Sequence, residues 1–288
     1  MKYPIIMHIN YMEQGQPHDE ICKVAADFGF DGIEFRNKDR NKVLNCADYL
    51  DSIKKAVATY GIKYPMFGGG LTCNSQDADA RREEIDAYKI FLAEASKRFN
   101  LTYLNFFCGT VRVPKLPYAP HTYAAHGGCA VPQWQYEAAV EACREICDFA
   151  RELGDFKLAF ETHMGYIHDY PELAKKLVDD IDRENIGVNL DYGNAVYLPG
   201  AMALPATIKN CGEKLFYTHM KNSITVGDIR FPTSLSGGVI NHREYVKTLL
   251  EIGYKGFIGI EAPRSGDRQF YAKEDLAYIR DVLDYYNV

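Results

Sequence analysis

Apolar and polar positions alternate along this chain in two registers. Short, almost wholly apolar runs recur near 4–9, 31–35, 62–67, 101–107, 157–161, 186–191, 215–220 and 256–261. They are rich in β-branched and aromatic residues, as strands covered on both faces are. Between them lie stretches with helical spacing, over 18–28, 46–60, 79–98, 132–152, 171–181, 202–211, 241–252 and 273–286. In the first, Ile21, Ala25 and Phe28 share a face and Gly29 stands where a helix stops. In the last, Leu276, Ile279, Val282, Leu283 and Tyr286 form the apolar stripe.

Eight strands alternating with eight helices predict an α/β fold, a parallel sheet closed into a single (β/α)8 TIM barrel that occupies 1–288 as one domain. An open doubly wound sheet is the rival architecture. Its usual G-x-G-x-x-G is missing, and Gly68-Gly69-Gly70 has neither that spacing nor the Lys-Ser/Thr of a phosphate loop. Two connections are long, 108–131 after strand four and 222–240 after strand seven. Both leave strand C-termini, so they are expected as loops over the catalytic face.

Composition narrows the functions. The 33 Lys and Arg against 39 Asp and Glu leave a net charge of −6, without the basic footprint of a nucleic-acid binder. No apolar stretch reaches the roughly 18 residues of a membrane span. The apolar run at the start is too short for a signal peptide, so a cytoplasmic protein is expected. Eight cysteines without a C-x-x-C read as reduced, structural thiols.

Chemistry on a barrel gathers at the strand C-termini. Glu161, Asp191 and Glu261 end strands five, six and eight, and His219 nearly ends strand seven. Three carboxylates converging on one mouth repel each other unless a cation joins them. Three oxygen donors and one imidazole suit a divalent metal ion, Mn²⁺ first, with Mg²⁺, Co²⁺ or Zn²⁺ as alternatives. Side chains two apart on a strand share a face. His163 is therefore a candidate to hold a hydroxyl or move a proton, and Lys221 to place positive charge on an enediolate oxygen or a phosphate. His8, Asn10, Glu34, Arg36 and Asn105 close strands of the first half, and with Arg264 are candidate contacts to a substrate. The loop after strand four adds Tyr118, His121, Tyr123, His126 and Trp134, flat faces able to stack on a sugar or an aromatic aglycone.

Residues 19–34 (DEICKVAADFGFDGIE), FETH, NLDYGN, THMKN and GGVINHREYVKTLLEIGYKGFIGIE together resemble the sugar phosphate isomerase/epimerase superfamily of xylose-isomerase-like barrels. The resemblance covers nearly the whole chain. It implies Glu161, Asp191, His219 and Glu261 as metal ligands, with Glu161 and Glu261 as the proton-transfer pair of a ketose epimerase. It also implies a small-molecule sugar or glycoside as partner, in a homo-oligomer or as a subunit of a hetero-oligomer. Many members carry His three residues after the strand-six Asp, where this chain has Asn194. That departure counts against a site with additional zinc and makes Asn194 a candidate substrate contact.

Three functions follow. The first is a metal-dependent isomerase or epimerase of a sugar or keto-sugar, working through an enediolate. The second is a lyase on an oxidised sugar, akin to inosose dehydratase or a 3-oxo-C-glycoside deglycosidase, with His163 or His126 as the acid. The third is a non-catalytic sugar-binding subunit.

Overall fold

The computed structural model describes residues 3–37, 46–70, 72–227, 229–262 and 264–288. Eight parallel strands close into a barrel. They are β1 (Ile5–His8), β2 (Gly32–Arg36), β3 (Tyr64–Gly70), β4 (Tyr103–Phe107), β5 (Lys157–Glu161), β6 (Ile186–Asp191), β7 (Leu215–Met220) and, after a hairpin, β10 (Phe257–Ile260). Ile6 pairs with Gly32 on one side and Gly259 on the other, which closes the ring.

Helices α1 (His18–Phe28), α2 (Cys46–Tyr60), α3 (Ala78–Ser96), α4 (Gln133–Leu153), α5 (Pro171–Ile181), α7 (Leu204–Cys211), α8 (His242–Glu251) and α9 (Arg268–Tyr285) connect the strands. A single extra turn, α6 (Tyr192–Ala195), follows β6. Helix α1 stops where expected, because Gly29 takes a left-handed φ of 89° and its N–H returns to Ala25 and Ala26. Helix α9 starts at Arg268, ahead of the expected 273, because the Asp267 side chain accepts from Phe270 N and opens the helix earlier.

The strand alternation divides the core. Ile5, Met7, Phe67, Leu158 and Phe160 face the helices, while Ile6, Met66, Ala159, Phe216, Tyr217 and Phe257 fill the barrel. Stepping two residues up from that filling leads to polar side chains at the mouth, from Ile6 to His8, Ala159 to Glu161 and Tyr217 to His219. All eight cysteines are free thiols, and Cys129 alone among them is exposed. Among the described residues, no helix is long and apolar enough to cross a membrane.

The two long connections carry structure of their own. The first holds two 3₁₀ turns, Pro120–Ala125 and Gly127–Ala130. It is sewn to the connection after β5 by Val111 N to Gly165 O (2.8 Å), Gly128 N to Asp169 Oδ1 (3.2 Å) and Tyr118 OH to Met164 O (2.5 Å). The second is only partly a loop. Its first half is an antiparallel hairpin of β8 (Asn222–Val226) and β9 (Ile229–Thr233). Ile224, Val226, Ile229 and Phe231 give it strand character.

Candidate metal centre at the barrel mouth

Glu161, Asp191, His219 and Glu261 converge, each offering one donor atom, and these atoms all lie within 4.8 Å of one another. The register explains the convergence. Asp191 is paired with His219 across β6 and β7, His219 with Gly259 across β7 and β10, and Glu261 follows two residues after Gly259. Gly259 is required here, because a Cβ would stand 2.3 Å from the Tyr217 hydroxyl and 2.8 Å from the His219 ring.

His219 is held from behind. Its Nε2 lies 2.7 Å from Glu34 Oε2, and the same oxygen accepts from Tyr217 OH at 2.9 Å. The other ring nitrogen, Nδ1, points into the cluster, 3.1 Å from Glu261 Oε2 and 3.3 Å from Glu161 Oε2. It is buried and has no aligned hydrogen-bond partner. A buried nitrogen with two carboxylates in front and an anion fixing the ring from behind fits a metal ligand. Burial opposes positive charge on this ring, yet Glu34, Glu161 and Glu261 hold its pKa well above the usual imidazole value. The surroundings thus favour a positive charge at Nδ1, which a proton or a metal ion can supply.

Each carboxylate is steered by an amide or an ammonium. Asn105 Nδ2 donates to Glu161 Oε2 at 2.6 Å and to Glu34 Oε1 at 3.0 Å. Asn10 Nδ2 donates to Glu261 Oε1 at 2.9 Å. Asn194 Nδ2 reaches Asp191 Oδ2 at 2.9 Å and Glu161 Oε1 at 3.4 Å. Lys221 Nζ sits 2.5 Å from Asp191 Oδ2 and 3.3 Å from Glu261 Oε2. Burial disfavours the Lys221 ammonium, but Asp191, Glu261 and Glu161 outweigh it and keep the proton in place. Glu34 is fully buried, and burial works against its charge. His219 and His8 outweigh that effect and hold it below the usual carboxylate range.

The remaining sequence candidates separate into two groups. His8, Asn105, Asn194 and Lys221 stand within the cluster; His8 Nδ1 is 3.7 Å from Glu261 Oε1. His163 stands beside it, its ring edge-on to Phe107 and Tyr166, with burial drawing its pKa down. The others are engaged elsewhere. Arg36 forms a two-pronged pair with Glu13 (2.9 and 3.0 Å). Arg264 is bound to Asp275 at 2.9 Å and to Glu274 at 2.6 Å. His126 is buried, with Nδ1 accepting from Val113 N and Nε2 3.1 Å from Pro117 O, so its ring serves the loop. Trp134 lies partly exposed in the first turn of α4.

Two residues that sequence reasoning did not join to the candidate metal site are Glu34 and Tyr217. Glu34 was expected against substrate hydroxyls, but both of its oxygens are taken by protein groups. Tyr217 shares a strand face with His219, which was the one available signal.

A family model described as xylose isomerase-like TIM barrel matches residues 22–282, and the chain belongs to that family. An uncharacterized protein of Methanocaldococcus jannaschii is 29% identical over 120 residues, which is 41% of this chain and 40% of that protein. The chain therefore aligns with about two fifths of the length of this curated relative. Among solved structures, a D-psicose 3-epimerase crystallised in the presence of D-fructose superposes with a TM-score of 0.75 at 19% identity, covering 97% of this chain and 99% of the other. A xylose isomerase-like TIM barrel protein from Mycobacterium smegmatis in complex with magnesium gives 0.74 at 20% identity, covering 98% and 97%. A probable 3-DHS dehydratase from Bacillus anthracis gives 0.72 at 16% identity, covering 97% and 99%. At these identities the superpositions speak for the fold.

Proposed function

We propose that this member of the xylose isomerase-like family is a divalent-metal-dependent epimerase or isomerase of an unphosphorylated or phosphorylated keto-sugar. One observation carries the reading. Glu161 and Glu261 both reach His219 Nδ1, at 3.3 and 3.1 Å, in a quartet whose donor atoms lie within 4.8 Å of one another. Glu161, Asp191, His219 and Glu261 would hold the ion. Mn²⁺ is the first candidate for a set of three oxygens and one nitrogen, with Mg²⁺, Co²⁺ and Zn²⁺ behind it. Bound there, the ion would acidify the C–H beside a carbonyl by drawing charge onto the carbonyl oxygen.

The chain's own residues supply the rest. One glutamate takes the proton from one face of the sugar carbon, and the other returns a proton to the opposite face, giving the epimer. Asn105 and Asn194 hold Glu161, and Asn10 holds Glu261, so each carboxylate meets substrate already oriented. Lys221, in reach of both Asp191 and Glu261, adds a fixed positive charge beside the developing enediolate oxygen. His163, kept neutral by burial, can hold a hydroxyl at the rim.

The test is incubation with Mn²⁺ and a panel of ketoses in D₂O, read by NMR. Solvent deuterium at one carbon beside the carbonyl, together with a new epimer, is the expected result. Complete absence of exchange with every sugar and every one of the four metals would remove the proposal. A second reading, elimination on an oxidised sugar, draws support from the dehydratase among the structural neighbours. It would give an unsaturated product or a released aglycone in the same spectra.

A further inference from the structure

We propose that His168 is a positioning residue, an imidazole inserted into the seam between β4 and β5 that sets where Glu161 stands in the quartet. The role rests on the metal-site reading given above. At the foot of this seam Lys157 N donates to Thr102 O at 2.9 Å. Bonds in a parallel ladder run from the two strands in turn at even spacing. With Asn105 beside Ala159 and Phe106 beside Phe160, that alternation leads up the seam to a bond from Cys108 N to Glu161 O. Both groups take another partner. Cys108 N donates to His168 Nε2 at 3.4 Å, and His168 Nδ1 lies 2.6 Å from Glu161 O. One ring stands in the place of one ladder bond.

The partners fix the tautomer of this ring. Nε2 accepts from a backbone N–H and so carries no hydrogen, while Nδ1 holds one and donates it to the Glu161 carbonyl. A neutral ring in this form satisfies a backbone group on each strand at once. It has little freedom to turn. His168 is fully buried, with its ring stacked between Phe160 (5.0 Å, 27°) and Tyr166 (5.3 Å, 25°). Above the ring the two chains pair in a new way. Thr110 meets Tyr166 in an antiparallel bridge, and Val111 N donates to Gly165 O.

The consequence falls on Glu161. Towards β6 the chain stays zipped, since Thr162 N donates to Asn189 O at 3.0 Å and Thr162 Oγ1 accepts from Asp191 N at 2.9 Å. Towards β4 it is spaced by the ring, and Asn105 reaches Glu161 Oε2 across that spacing at 2.6 Å. A direct bond from Cys108 to Glu161 would close the seam. It would draw Glu161 towards β4 and away from β7, which carries His219. Glutamine can keep the seam open, because its amide offers one group that donates and one that accepts. Alanine offers neither and leaves the strands free to close.

Titration calorimetry of the full chain with Mn²⁺ tests the role, comparing wild type with His168→Gln and His168→Ala, with folding checked by circular dichroism. His168→Gln should bind within about threefold of wild type, and folded His168→Ala about 10- to 100-fold more weakly. An alanine variant that binds as tightly as wild type overturns the proposal. So does a glutamine variant that binds as weakly as the alanine one. Two-bond ¹H–¹⁵N spectra of the metal-free, histidine-labelled protein test the bridge without needing the alanine variant to fold. The His168 signals, assigned by their loss in His168→Gln, should show the hydrogen on Nδ1. A hydrogen on Nε2 overturns the bridge and the role with it. A wild type that binds none of Mn²⁺, Mg²⁺, Co²⁺ and Zn²⁺ removes the metal-site reading, and the positioning role falls with it even where the spectra show the bridge.

Discussion

Glu34 and His219, 185 residues apart in the chain, meet at 2.7 Å across the barrel. This contact fixes which ring nitrogen of His219 faces the carboxylates. Glu34→Gln keeps the shape and removes the charge. Divalent-ion affinity should fall about 10- to 100-fold, the usual cost of losing a group behind a ligating histidine. Titration calorimetry with Mn²⁺ measures it. An affinity within threefold of wild type would show that Glu34 does not orient this ligand.

Glu161→Gln and Glu261→Gln each remove one carboxylate of the assigned proton-transfer pair. Turnover of the best sugar should drop about 10²- to 10⁴-fold in each. Exchange of the substrate proton with solvent should survive better in whichever variant keeps the base for that face. Equal activity in both variants and wild type would point to a binding subunit rather than an enzyme.

Lys221 is a cation in reach of both Asp191 and Glu261. Lys221→Met leaves those buried carboxylates facing each other without it. Urea unfolding in the presence of a chelator should show a loss of about 3 kcal/mol. Adding saturating Mn²⁺ should narrow the gap to wild type, because the ion supplies charge at the same place. A gap that metal does not narrow would separate Lys221 from the metal site.

Burial pushes the Asp169 carboxyl up to about 7 from an ordinary 3.8, against N–H donation from Tyr170 and Gly128. Its Oδ2 is buried without a partner. A carboxyl raised in the folded state stabilises fully below pH ~4, where both states hold the proton. Between pH ~4 and ~7 only the folded state keeps that proton, so this contribution is lost as pH rises. Asp169→Asn should remove the slope, and the variant should gain about 1–3 kcal/mol on wild type between pH 4 and 8. Parallel stability curves for the two proteins would contradict this assignment.

The barrel was legible because its strands are covered on both faces and read as separated apolar runs. The four donor residues were legible for a related reason, since a charged or imidazole group ending an apolar strand stands out. What surrounds them was not. Glu34 also ends an apolar strand, but nothing in a linear sequence says that β2 faces β7 across the lumen. Arg36 and Arg264 follow strand ends and are candidate substrate contacts on that ground. Their carboxylate partners, Glu13 and Asp275, come from segments whose position only the fold defines. The hairpin was hidden for a subtler reason. Its alternation over 222–233 is a strand pattern, yet a connection after a barrel strand carries a strong expectation of loop.

Closure of the ring has a consequence for how the protein matures. Two supports of the site reach across from the other end of the chain, with Asn10 on Glu261 and Glu34 on His219. These partners meet only after β1 has paired with β10, the first strand with the last. A growing chain therefore carries all four donor residues before it has brought them together. Capture of the proposed ion would then be a late event in folding, and binding would report that the ring has closed.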